Sequence, residues 1–211
     1  MGSVWVIVVA AGTGSRFGRP KQYEALGGRR VLDWSLDDAR AVADGIVLVV
    51  PADRLGTPEP AADAVVPGGA TRSASVRAGL ASVPADAEVV LVHDGARPLA
   101  GAALFTAGVA AVRAGAEAVV PAVAVTDTLR RRSGGLEPRD DLVAVQTPQA
   151  FRAAALRAAH AGEPEATDDA SLVEAAGGKV VVVDGWPGNL KITHPLDLVV
   201  AGAVLAARAA P

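Results

Sequence analysis

The chain has 211 residues, 51% of them hydrophobic but only 3% aromatic, and a formal charge of −3. That length suits one domain, residues 1–211, with a core of Val, Ala and Leu; the charge and the scarcity of stacking rings exclude a general nucleic-acid binder. The lack of cysteine excludes disulfides, thiolate catalysis and Cys-ligated metal sites. With no apolar stretch of membrane-spanning length and no secretory leader, the chain reads as soluble, cytoplasmic and free of the membrane.

The first element is a strand at 4–10, a β-branched run of the kind that is covered on both faces. It feeds Ala10-Ala11-Gly12-Thr13-Gly14-Ser15-Arg16-Phe17-Gly18-Arg19-Pro20-Lys21-Gln22-Tyr23. Glycines let the backbone approach a ligand closely. Residues 11–30 hold five cations (Arg16, Arg19, Lys21, Arg29, Arg30) against one acid, Glu24. A cationic glycine loop after a buried strand suits a polyphosphate, although a plain loop with solvated arginines has the same composition. The loop is neither a P-loop nor a dinucleotide fingerprint, whose third glycine would come one residue before Gly18.

Helical patterns at 31–43, 71–82, 101–114, 150–161, 168–176 and 195–209 alternate with strands at 45–50, 63–66, 88–93, 116–125 and 179–184. Residues 51–62 read as a plain surface loop. The alternation implies an α/β fold, a mostly parallel sheet with helices on both faces. Ligands on such sheets sit beyond the carboxyl ends of the strands, so the glycine loop and His93-Asp94 should share an edge.

Gly68-Gly69-Ala70-Thr71-Arg72-Ser73-Ala74-Ser75-Val76 opens the second helix; Thr71 suits a cap, and Arg72 and Ser73 are the functional candidates there. In Val92-His93-Asp94-Gly95-Ala96-Arg97-Pro98, a carboxylate and a guanidinium can hold a metal–phosphate complex and an anionic substrate. His93 reads as structural. The three histidines lack H-E-x-x-H spacing, which argues against a histidine metal site. No G-x-S-x-G elbow of a serine hydrolase occurs. Residues 127–146 form a polar arm with a hairpin signal at Gly134-Gly135. Such an arm is too polar for a core of its own and is expected either to rest on a partner or to stand exposed. Gln146-Thr147-Pro148-Gln149, Thr167-Asp168-Asp169 and Asn189-Leu190-Lys191-Ile192-Thr193 are each unremarkable alone.

In this order the motifs resemble those of the 2-C-methyl-D-erythritol 4-phosphate cytidylyltransferase family, from Val4 to Asp197. The resemblance implies a Rossmann-like nucleotidyltransferase fold and a homodimer in which a projecting arm completes the other subunit's site. It implies transfer of CMP from CTP to methylerythritol phosphate with Mg2+, in non-mevalonate isoprenoid synthesis. Carried over by motif, Ala10, Ala11, Gly12, Gly14, Gly69 and Ser75 bind the nucleotide, and Arg16 and Lys21 hold the triphosphate. Asp94, Arg97, Thr147 and Lys191 hold the sugar phosphate, with Asp94 the candidate metal ligand, and Thr128 and Arg139 reach it from the partner's arm. Arg16, Lys21, Arg139 and Lys191 form the catalytic set. The alternatives are a ribitol-5-phosphate cytidylyltransferase, against which Tyr23 and Ala96 weigh, a nucleotidyltransferase using another base, and a nucleotide-binding regulator without turnover.

Overall fold

The apolar run after Ser3 becomes strand β1 (Val4–Val9), and its two buried faces place it inside an eight-stranded sheet. The computed structural model describes residues 2–209. After the glycine loop come a 3-10 turn at Lys21–Tyr23 and a small antiparallel pair, β2 (Ala25–Leu26) and β3 (Arg29–Arg30). Then follow α1 (Val31–Arg40), β4 (Gly45–Val50), β5 (Ala64–Pro67), α2 (Arg72–Ala81), β6 (Val89–Asp94), α3 (Ala102–Arg113) and β7 (Ala118–Ala124). The arm holds β8 (Leu129–Arg130), β9 (Leu136–Glu137) and β10 (Val143–Val145), and after it come β11 (Gln149–Arg152) and α4 (Ala153–Ala159). The chain closes with α5 (Asp169–Ala175), β12 (Val180–Asp184) and α6 (Pro195–Ala209).

The sheet runs β10-β7-β11-β6-β1-β4-β5, with β12 also paired to β7. Strands β6, β1, β4 and β5 are parallel, as is β12 beside β7, whereas β10 and β11 are antiparallel to their neighbours. Side chains alternate across a strand, so Val6 and Val8 meet Leu36 of α1 and Phe105 of α3. Ile7 faces the opposite way, into the layer of Val76 from α2, Phe151 from β11 and Leu156 from α4. Helices thus cover both faces, and α6 closes a third cluster through Ala201, against Phe17, Leu26 and Ile192.

Two expectations need correcting. Residues 150–152 are not the start of a helix: they belong to β11, which fills the gap between β6 and β7. Ala150 and Phe151 are both fully buried, in opposite layers. That is strand geometry, but the segment is too short for its period to stand out. Nor is 51–62 a plain surface loop. It contains a 3-10 turn at Ala52–Arg54, and Glu59 is buried against Arg30 at 2.7 Å. The arm has its hairpin where expected, with Gly134 and Gly135 at φ of 105° and 85°, values that favour glycine.

Candidate active site

The register of β1 against β6 pairs Val9 with Asp94, which brings the glycine loop and the His93-Asp94 pair to one edge. Between them opens a cleft of about 520 Å3. Its floor is Ala10, Ala11 and Gly12, and Gly69 and Ser75 stand opposite. A Cβ added at Gly12 would meet nothing within 4 Å, so bare backbone faces the space. Gly14 does not line the cleft. It turns the loop at a φ of 70°, and a Cβ there would lie 1.9 Å from the Arg19 carbonyl oxygen. Gln22, nearly inaccessible, pins the loop from beneath by donating to the carbonyls of Ala10 (2.6 Å) and Gly12 (3.0 Å). The Ser75 hydroxyl accepts from Gly69 N–H at 3.1 Å and donates to Thr71 C=O at 2.9 Å, so it shapes the opposite wall. Thr71 is a cap, accepting from Ala74 N–H. Ser73 is buried and joins Ala166 through its backbone N–H and C=O, away from the cleft.

The five cations of residues 11–30 do not act together. Arg19 pairs with Glu24, Arg29 with Asp37, and Arg30 with both Asp33 and Glu59. Only Arg16 and Lys21 line the cleft. Burial holds Lys21 below the ordinary lysine value, and the charges of Lys191 and Arg16 add to the effect.

Asp94 stands at the back of the cleft among three cations. Lys191 Nζ is 2.8 Å from Oδ2, Arg97 Nε 3.7 Å from Oδ2, and Arg72 Nε 3.8 Å from Oδ1. Burial alone would raise the Asp94 pKa, but Lys191, Arg72 and Arg97 together outweigh it and hold the carboxyl well below the usual range. His93 is inaccessible. Its Nε2 faces Arg97 C=O at 3.3 Å and its Nδ1 faces the Thr147 hydroxyl at 3.1 Å. Burial lowers its pKa to about 4, so the ring is neutral at pH 7. A carbonyl only accepts, which assigns the proton to Nε2 and makes Nδ1 the acceptor of the Thr147 hydroxyl. That hydroxyl also accepts from Asp94 N–H at 3.0 Å.

A second cleft of about 340 Å3 lies behind this wall and shares Arg72, Asp94 and Lys191 with the first. Arg97, Thr147, Gln149 and Thr167 line it with Asp168. Asn189, fully buried, ties its parts together: its side-chain amide N–H groups donate to Gln146 Oε1 and Thr147 C=O, and its backbone carbonyl accepts from Arg97 Nη1 at 2.7 Å. Thr128 and Arg139 are elsewhere. Both are exposed, and Arg139 donates to Thr126 C=O and borders a separate hollow beside β12.

Sequence reasoning left Gln22, Thr167 and Asn189 without roles and read Asp168 only as a helix cap, which it is, accepting from Ser171 N–H at 3.1 Å. Each stands inside a quoted motif, but an amide's hydrogen-bond partners lie far along the chain and leave no local pattern. Among the described residues, no three His, Asp or Glu side chains gather as a metal cage. Asp94 is, among the described residues, the one carboxylate lining the first cleft.

A family model described as IspD, 2-C-methyl-D-erythritol 4-phosphate cytidylyltransferase, matches residues 4–207. The enzyme of that name from Prochlorococcus marinus is 46% identical, across 97% of this chain and 99% of its own. The one from Nocardia farcinica is 45% identical, across 99% and 96%. Among solved structures, the Thermus thermophilus 2-C-methyl-D-erythritol 4-phosphate cytidylyltransferase superposes with a TM-score of 0.83 at 38% identity, covering 98% of this chain and 100% of that one. The bifunctional IspDF of Campylobacter jejuni gives a TM-score of 0.83 at 27% identity, over 94% of this chain and 54% of that one.

Proposed function

This chain belongs to the 2-C-methyl-D-erythritol 4-phosphate cytidylyltransferase family, and on that premise we propose how its two clefts divide the reaction. The enzyme transfers CMP from CTP to methylerythritol phosphate, releasing pyrophosphate, in isoprenoid biosynthesis. The first cleft takes CTP: Ala10, Ala11, Gly12, Gly69 and Ser75 bound the space for the nucleoside, with Arg16 and Lys21 toward the triphosphate. The second takes the sugar phosphate, with Arg97 and Lys191 for its charge and Asp168, Thr167 and Gln149 for its hydroxyls. The observation that carries this division is the shared wall of Arg72, Asp94 and Lys191.

A phosphate oxygen of methylerythritol phosphate attacks the α-phosphorus of CTP. The new P–O bond forms as the bond to the β-phosphate oxygen breaks, and pyrophosphate leaves. The attacking phosphate has a second pKa of about 6 and is largely dianionic at neutral pH, so no base has to deprotonate it. A neutral, buried His93 is consistent with that economy. What the protein supplies is positioning and positive charge. Lys21 and Arg16 draw charge from the CTP phosphates, and Lys191 leaves Asp94 to grip the incoming one. The Thr147 donor is already committed to His93, so this residue fixes Asp94 and Arg97 in place.

One available carboxylate fits a Mg2+ carried mainly by substrate phosphates, the usual arrangement for this ion, with Asp94 as its protein ligand. When bound, the ion offsets negative charge on the triphosphate. Since Thr128 and Arg139 lie outside the clefts of their own chain, we place them in a partner's site, through arm exchange in a homodimer. Among the described residues no helix is long and apolar enough to cross a membrane, and the charged substrates argue for a cytoplasmic enzyme.

The test is pyrophosphate release with Mg2+ and CTP, offering methylerythritol phosphate and ribitol 5-phosphate separately. Release with the first alone is expected. Lys21→Ala and Lys191→Ala should each lower turnover by about 100-fold or more, the scale of losing one charge-stabilising donor, with melting temperatures near wild type. Near-normal turnover in both variants, or release with ribitol 5-phosphate alone, would overturn this assignment.

A further inference from the structure

We propose that Arg72 is a further catalytic residue, a cation fixed at the junction of the two clefts, and that Asp169 positions it. The inference rests on the cytidylyltransferase reading and deepens it. Arg72 opens α2 and lines both clefts. One edge of its guanidinium is tied down, with Nη1 2.7 Å from Asp169 Oδ2. Asp169 itself cannot move: its side chain is fully buried, Oδ1 accepts from His160 Nε2 at 3.0 Å, and its backbone N–H donates to Gln149 Oε1 at 3.3 Å.

The other N–H groups of Arg72 make no hydrogen bond among the described residues, and Asp94 stays 3.8 Å away. With 22% of the side chain still accessible, they face the cavity. A planar guanidinium has five donors in a rigid fork, so it can hold a buried carboxylate with one edge and offer the other to phosphate oxygens. The junction is where the attacking phosphate must meet the α-phosphate, two anions that repel. Lys191 is committed to Asp94 before substrate arrives, whereas the free edge of Arg72 is already aimed. A donor fixed before reaction costs no reorganisation as charge develops.

Removing one member of a buried ion pair strands the other and can unfold a protein, so two variants avoid this. Arg72→Lys keeps a charge for Asp169 but has no second edge. The double variant Arg72→Met with Asp169→Asn removes both charges together and leaves a partner for His160. In each, kcat for pyrophosphate release is expected to fall about 100-fold. CTP binding by calorimetry, KM for methylerythritol phosphate and the melting temperature should stay near wild type. A merely structural residue would move the melting temperature and both affinities with the rate. That pattern, or a kcat within about threefold of wild type in both variants, overturns the proposal. Wild-type protein that releases no pyrophosphate from CTP and methylerythritol phosphate would overturn the parent reading and this one together.

Discussion

His93, next to last in β6, has both ring nitrogens engaged and no accessible surface. In the unfolded chain its pKa returns to about 6.5, while burial holds it at about 4 in the fold. Between those values the unfolded chain binds more protons, so stability rises with pH. The contribution is complete above pH 6.5 and is lost as pH falls to about 4, a change on the order of 3 kcal/mol. Urea melts at pH 7, 5.5 and 4 should show the loss in wild type and a much flatter dependence in His93→Gln. An unchanged slope in the variant would mean that another group titrates.

At this scale the sequence was readable where a residue's type decides its role, and opaque where its partner does. Asp94, beside Gly95 at the end of β6, and Lys21, in the turn after the glycine loop, could both be picked out by type and position, and both line the first cleft. Nothing near Arg30 shows that Glu59, 29 residues on, claims it, so the five cations looked like one field. Arg72 was noticed as a candidate but not placed, because Asp169 is 97 residues away.

Helix α2 carries Arg72 and Ser75, and its distance from the sheet sets where they stand. Gly79 allows a close approach: a Cβ there would lie 2.5 Å from Ile7 Cγ2 and 3.1 Å from Val49 Cγ2. Alanine in place of a helical glycine gains about 1 kcal/mol of propensity, but crowding a filled core costs about 1–3 kcal/mol. We expect Gly79→Ala to be net destabilising, to lower the urea midpoint and to raise KM for CTP as α2 is pushed outward. A midpoint at or above wild type would show that Ile7 yields without cost. The long strands and helices were legible from their periods, within a few residues at their ends. β11 was not, because four residues followed directly by a helix merge with it, and only the gap between β6 and β7 reveals the strand.

Over the whole molecule, the arm is the part that the proposed function assigns to a second copy of the chain. It leaves Leu136 63% and Val143 47% exposed and keeps Arg139 out of both clefts, which is what motivates the proposal of arm exchange. Co-expressing Lys191→Ala with Arg139→Ala tests this. Each alone should be nearly inactive. In a mixed dimer with exchanged arms, one site takes both intact residues, so the pooled protein should regain about a quarter of wild-type activity for random pairing of subunits. If each arm served its own chain, no mixture would recover any. The hairpin could be read from Gly134-Gly135, whereas what it rests against is not written in one chain's pattern.

The wall shared by the two clefts has a pharmacological consequence. On the proposed division of the clefts, a compound seated against Asp94 would stand on ground that both substrates need. It need not resemble either one, and its inhibition would read as competitive against each. A ligand confined to the glycine loop would compete with the nucleotide alone, so the kinetic pattern of an inhibitor reports which side of Asp94 it occupies.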